Sequence, residues 1–132
     1  MVSCLAFITI NCGNEITEVR HYNEITILSP NYPNNYPNNQ DCQTVIRFPT
    51  RVSLEFQYFD LESHLTCKYD WLEIRDGSNP SSKLCGDDFP GYPGPVMSSK
   101  KTLYIRFRSD GTQTRNGFQL KVKAGKDLLY TY

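Results

Sequence analysis

The chain has 132 residues, of which 39% are hydrophobic, 21% charged and 13% aromatic. That suffices for one domain with a real core, is too short for two ordinary domains, and excludes a disordered chain. Lys and Arg total 14, as do Asp and Glu, so the formal net charge is zero. No global field points to nucleic acid or an anionic membrane, and no apolar run reaches the roughly 18 residues of a spanning helix.

Along the chain, Met1–Ile10 (MVSCLAFITI) is apolar and uncharged. It is expected to be a hydrophobic leader or incomplete signal segment over residues 1–11, although it lacks a basic start and a clear cleavage site. The other reading of this stretch is a first strand. Ile16–Leu28 and Thr44–Phe48 are weaker strand candidates. Between them, Ser29–Asn39 (SPNYPNNYPNN) must be irregular, because Pro fixes φ and lacks a donor while Asn tolerates turns. Val52, Leu54, Phe56 and Tyr58 then alternate with Ser53, Glu55 and Gln57. Leu72 and Ile74 alternate with Glu73 and Arg75, and Asp76-Gly77 marks a tight turn. Gly86–Pro95 (GDDFPGYPGP) reads as a long loop. Leu103, Ile105 and Phe107 alternate with Tyr104, Arg106 and Arg108, followed by an Asp110-Gly111 turn. Phe118, Leu120 and Val122 alternate with Gln119, Lys121 and Lys123. Alternation with Gly/Pro loops predicts an all-β, two-sheet antiparallel β-sandwich over 12–124, with a barrel as second choice. Residues 125–132 lose the pattern and are expected to be a tail or a truncated end.

The cysteines are Cys4, Cys12, Cys42, Cys67 and Cys85. They form no C-x-x-C pair, and only His21 and His64 are present, so zinc and thioredoxin-like sites are not expected. Wide spacing in a small chain points to disulfides and a secreted, oxidising setting. Loss of a leader would remove Cys4 and leave four cysteines, which allow three pairings. Cys12–Cys42 with Cys67–Cys85 is the local choice; spacing alone leaves the other two open.

Asp60, Glu62, Asp70 and Asp110 lie at predicted strand ends or in adjoining loops. Ca²⁺ takes several hard oxygen ligands from separated loops, and short acidic side chains beside turns suit it. Solvated turn formers are the plain counter-reading. Trp71 is expected in the core. Tyr32, Tyr36 and Tyr92 sit in Pro-rich loops, where exposed tyrosines suit interaction surfaces. Lys100, Lys101, Lys121, Lys123 and Lys126 are read as solvated faces, with a heparin-like ligand as a minor reading. No H-E-x-x-H, G-x-S-x-G or phosphate loop occurs, so no enzyme is expected.

These residues resemble a CUB domain, from Cys12-Gly13 to about Val122. SPNYP at 29–33, YPNN at 36–39 and Asp41-Cys42 come first. FDLE at 59–62, CKYDWLEIRDG at 67–77, LCG at 84–86, FRSD at 107–110 and Gly117-Phe118 follow in family order. The resemblance implies a jelly-roll-like sandwich, supports the sequential disulfides, and places the chain among extracellular protein-interaction modules. In calcium-binding members, the ligand positions match Glu62, Asp70, Asp110 and the carbonyl of Thr112. The tyrosine that orients the acids matches Tyr36. Gln113 departs from the family's usual Asn, and Asp60 becomes an outward, non-ligating acid. Three carboxylates carry −3 and Ca²⁺ +2, leaving about −1 to capture a Lys or Arg of a partner. Tyr36, Glu62 and Asp110 are the expected receptor for a basic side chain of an extracellular protein. Other readings are a non-catalytic fragment of a secreted astacin-like or serine protease, and a stand-alone spermadhesin-like or carbohydrate-binding protein with calcium only structural. Other domains of a larger parent chain are expected partners; nucleic acid and membrane insertion are not.

Overall fold

The computed structural model describes residues 5–9, 15–18, 24–76, 83–87, 96–97 and 101–124. Ten strands make up the described elements: β1 (Leu5–Thr9), β2 (Glu15–Glu18), β3 (Glu24–Leu28), β4 (Asp41–Arg47), β5 (Val52–Asp60), β6 (Trp71–Asp76), β7 (Lys83–Leu84), β8 (Val96–Met97), β9 (Thr102–Arg108) and β10 (Gly117–Ala124). They form two five-stranded sheets, ordered β1-β3-β10-β5-β8 and β2-β4-β9-β6-β7. The expected two-sheet sandwich is what forms. Its interior pairings are antiparallel, and β1 and β2 add in parallel to β3 and β4 at one edge of each sheet.

The weak candidate at Ile16–Leu28 is not one strand. Its two ends lie in opposite sheets, as β2 and β3. Leu5–Thr9, inside the stretch expected as a leader, pairs with Glu24–Leu28. Cys4, Cys12, Tyr92, Lys100, Lys126 and the tail at 125–132 lie outside the described residues.

The alternation read from sequence closes the core. Ile25 and Ile27 from β3, Ile46 from β4, Leu72 from β6, Leu103, Ile105 and Phe107 from β9, and Phe118 and Leu120 from β10 are buried between the sheets. Full burial of each such side chain is worth about 1.5–3 kcal/mol. In β5 the alternation breaks. Val52, Leu54 and Phe56 are buried, but Tyr58 is 37% exposed and Phe59 takes the inward position. The cause is a bulge: Gln119 pairs with Tyr58 and the adjacent Leu120 with Phe56, so Gln57 is extra. The bulge inverts the facing of everything after it, so Phe59 and Leu61 point into the core and Asp60 points away.

Trp71 is buried but does not join the inter-sheet cluster. Its neighbour Leu72 faces the core, so Trp71 occupies the outer face of the second sheet. There it packs beneath Lys83 and Arg106. Gly117 has φ +96, and a Cβ there would overlap the Ser29 side chain. That close approach lets the Ser29 hydroxyl accept the Phe118 N–H at 2.9 Å, which ties the loop after β3 to the start of β10.

Candidate metal centre

Three segments meet at one end of the sandwich. The first is the Pro/Asn-rich stretch. Its cis peptide bond is Tyr32-Pro33, and Asn31 and Asn39 take left-handed φ of 66 and 58, a conformation that Asn tolerates better than most residues. This path buries Tyr36, which is 1% exposed. Its ring packs edge-on against Phe107, with centroids 5.0 Å apart, and its N–H donates to the Arg115 carbonyl.

The second segment runs from the end of β5 to the start of β6. Leu61 anchors it in the core, with its N–H donating to the Gly86 carbonyl at 2.8 Å. The Cys67–Cys85 disulfide forms as expected and ties the same two regions. Cys42 is fully buried and disulfide-bonded, and its expected partner Cys12 lies outside the described residues. His64 holds the loop between Glu62 and Asp70: its Nδ1 accepts the N–H groups of Thr66 and Lys68, both at 3.1 Å. Its ring meets Tyr69 edge-on.

The third segment follows β9. The Ser109 hydroxyl donates to the Pro37 carbonyl at 2.7 Å and accepts the Gln40 N–H at 2.9 Å. The Asn39 N–H donates to the Asp110 carbonyl at 2.8 Å. These bonds lock the Asp110 turn to the first segment.

Glu62, Asp70 and Asp110 converge, and one carboxylate oxygen from each lies within 4.8 Å of the others. Asp70 is fully buried. Its Oδ2 accepts the Tyr36 hydroxyl proton at 2.6 Å and its Oδ1 accepts the Asp110 N–H at 2.8 Å. The Tyr36 oxygen in turn accepts the Glu62 N–H at 3.1 Å. Thr112, exposed, donates its N–H to Asp110 Oδ1 at 3.3 Å. Glu62 Oε1 is buried with no hydrogen-bond partner. Asp60 stays outside this group and lines an adjoining open cleft with Tyr58, Asp87 and Arg115.

Convergence of this kind is costly. At an effective dielectric of about 20, two unit charges 4.8 Å apart repel by roughly 3–4 kcal/mol. Three such pairs rival the whole 5–15 kcal/mol net stability of a typical domain. Burial, followed by the charges of Asp70 and Asp110, raises the Glu62 carboxyl above its ordinary value. Burial also raises Asp70; the bonds from the Tyr36 hydroxyl and the Asp110 N–H oppose it, and the Asp110 charge adds to it. Burial, then the bond to Asp70, pushes the Tyr36 phenol well above its usual range, so it serves as a hydrogen-bond donor at neutral pH. An all-oxygen set of carboxylates fits a hard divalent cation, and the orphaned Glu62 Oε1 points to the same ligand class.

The spacing of Glu62, Asp70 and Asp110 in sequence announced acids at strand ends. It did not announce the scaffold behind them: Ser109, Asn39 and Gly86 act through backbone groups far away in sequence, for which no local pattern exists. Gln113 takes φ +54, a left-handed position where Asn is the easier residue. The departure at that position is therefore a backbone matter as well as one of side-chain chemistry.

The model of the CUB domain family matches residues 12–122. The chain is 41% identical over 111 residues to human Tolloid-like protein 1, covering 81% of this chain and 10% of that protein. It is 41% identical over 113 residues to Bone morphogenetic protein 1 of Xenopus laevis, covering 83% and 15%. The chain thus spans a small fraction of these relatives. Among solved structures, the MASP-1 CUB2 domain bound to Ca²⁺ superposes with a TM-score of 0.72 at 32% identity, covering 86% of this chain and all of that one. Sequence match and sandwich topology agree, and the chain belongs to the CUB domain family.

Proposed function

We propose that this chain is a non-catalytic, extracellular interaction module that binds Ca²⁺ through Glu62, Asp70, Asp110 and the Thr112 carbonyl. Through the same end of the sandwich it captures a Lys or Arg of a partner protein. The observation that carries the reading is the convergence of three carboxylates with Glu62 Oε1 buried and unpartnered. The calcium in the MASP-1 CUB2 relative supports the choice of metal. When bound, calcium supplies the positive charge that lets the three acids stand ionised together. Asp70 is the buried anchor of the set. Tyr36 serves the site from beneath, since at 1% exposure it offers little surface to a partner. It fixes Asp70 and the Glu62 backbone. Asp110, half-buried, is the more accessible acid, and with Glu62, 6% exposed, it would hold the residual negative charge, about −1, that a basic side chain meets. A module of this length working inside a larger secreted chain fits relatives many times longer.

The test is a thermal melt of the oxidised chain in chelator and across a calcium titration, with Asp110→Asn alongside. A ligand that binds only the native state stabilises it by RT ln(1 + [L]/Kd), about 2.7 kcal/mol at a hundredfold excess. The expected result is a calcium-dependent rise that Asp110→Asn abolishes. A flat response to concentrations well above about 1 mM, the weak end for extracellular modules, would refute the calcium site. Basic-residue capture is then read as binding to a surface bearing lysine peptides, present in calcium and absent in chelator.

A further inference from the structure

We infer that the outer face of the second sheet is a binding surface for a sulfated polysaccharide, separate from the acidic end of the domain. The register places Asp41, Arg108 and Trp71 in one outward row. Gln43, Arg106, Glu73 and Lys83 form the next, and Val45, Tyr104 and Arg75 the third. Cations dominate this face. Arg75, Lys83, Arg106 and Arg108, all exposed, stand against Asp41 and Glu73; at the edge of the sheet Arg47 is in register with Glu18 of β2. Among the described residues no carboxylate lies within ion-pair distance of Arg75 or Arg108. Among the described residues, the three acids of the metal centre and these four cations thus lie on different parts of the surface.

The cations are held in place. Lys83 Nζ sits 4.5 Å and the Arg106 guanidinium 5.5 Å from the Trp71 ring centroid. Asp41 grips Arg106 through two parallel bonds, Nε to Oδ1 at 2.9 Å and a terminal nitrogen to Oδ2 at 2.8 Å. Pre-ordering of this kind lowers the entropy lost on binding, and guanidinium forks suit tetrahedral oxyanions. Arg106 and Arg108 stand two residues, about 7 Å, apart along β9, and Arg106 and Lys83 two strands, about 10 Å, apart across the sheet. Cations spread over an open face complement a linear polyanion. On the opposite sheet Lys121 stands across from Glu55 and Lys123 pairs with Glu24 at 3.7 Å; on this one Arg106 is likewise paired with Asp41 and Lys83 stands across from Glu73, so Arg75, opposite Tyr104, and Arg108 carry the excess.

The experiment uses the full chain on immobilised heparin with a NaCl gradient, in calcium and in chelator. The chain should be retained at about 0.15 M salt despite its zero net charge, equally with and without calcium. Arg75→Gln and Arg108→Gln should each lower the slope of log affinity against log salt by about 1, and the double variant should be lost from the column. The pair Lys121→Gln and Lys123→Gln should leave retention unchanged, and Arg75→Lys with Arg108→Lys should preserve it. Matching melting temperatures show that these exposed substitutions leave the fold intact. Flow-through of the parent chain, or undiminished retention of the Arg75→Gln, Arg108→Gln double variant, would overturn the inference. So would competition by poly-glutamate equal to that by heparin, which would assign the face to an acidic protein. Retention that vanished in chelator would place binding at the acidic end and overturn it as well. Failure here leaves the calcium site untouched, because the two are read in different assays.

Discussion

Removal of a single oxygen tests whether Tyr36 organises the metal centre. Tyr36→Phe keeps the ring against Phe107 and deletes only the hydroxyl. That hydroxyl makes a charge-assisted bond to Asp70 at 2.6 Å and accepts the Glu62 N–H at 3.1 Å. Bonds to charged groups are worth about 1.5–3 kcal/mol and neutral ones about 0.5–1.5. Asp70 keeps its second bond, from the Asp110 N–H, so the charge is not wholly abandoned. The expected loss is about 2–4 kcal/mol, read by urea denaturation in chelator. In about 10 mM calcium the parent chain should gain about 1.4–2.7 kcal/mol for dissociation constants spanning the extracellular range. The variant should gain less, because Asp70 and Glu62 no longer share a fixed hinge. A variant within about 0.5 kcal/mol of the parent in both conditions, the range of an ordinary surface substitution, would refute this account of Tyr36.

Three further outcomes follow from the same geometry. The folded-state values of Glu62 and Asp70 are raised, so the metal-free fold loses their contribution as pH climbs from the ordinary carboxylate range through the raised values. Calcium needs them ionised; the calcium-induced rise in melting temperature should therefore grow with pH across that window. The difference between calcium and chelator melts cancels the opposite contribution of Asp41, whose carboxyl is lowered first by its bond to Arg106. A calcium increment independent of pH there would contradict the role given to the raised carboxyls of Glu62 and Asp70. Replacing both Cys67 and Cys85 by Ser should cost about 2–5 kcal/mol and shrink the calcium increment, because the disulfide tethers the loop between Glu62 and Asp70 to the segment at residue 85; equal increments in parent and variant would count against that coupling. Gly117→Ala should destabilise by more than about 1 kcal/mol, since φ +96 and the Ser29 side chain both reject a Cβ. A neutral result in urea titration would show that the β3–β10 junction relaxes freely.

Much of the fold was legible in the alternation, because a half-buried strand must place apolar residues at every second position. The alternation over 72–75, 103–108 and 118–123 places the strands at 71–76, 102–108 and 117–124 to within a residue or two at each end. Tyr58 and Phe59 show its limit: a bulge costs one residue and leaves no compositional mark, so the inward side passed from one aromatic to the next. Trp71 shows another. A large aromatic beside a core strand reads as core, yet the sheet has two faces, and only the positions of Lys83 and Arg106 reveal that the outer one is covered.

The sequence by itself determined which residues carry charge near strand ends, that the chain is all-β, and that the Pro/Asn stretch is irregular. These are local properties, written in spacing of two and in turn chemistry. It could not assemble Glu62, Asp70, Asp110 and Tyr36 without the resemblance of its motifs to a known family, because they come from segments up to 74 positions apart (110 − 36). Their meeting depends on how the two sheets stack and on backbone bonds from Ser109, Asn39 and Gly86. Only the tertiary structure buried Glu62 Oε1 without a partner, hid the Tyr36 ring while aiming its hydroxyl at Asp70, and set the three acids at one end apart from Arg75, Lys83, Arg106 and Arg108 on one sheet face. Electrostatic character of that kind is a property of the surface, and the surface exists only once the sheets have packed.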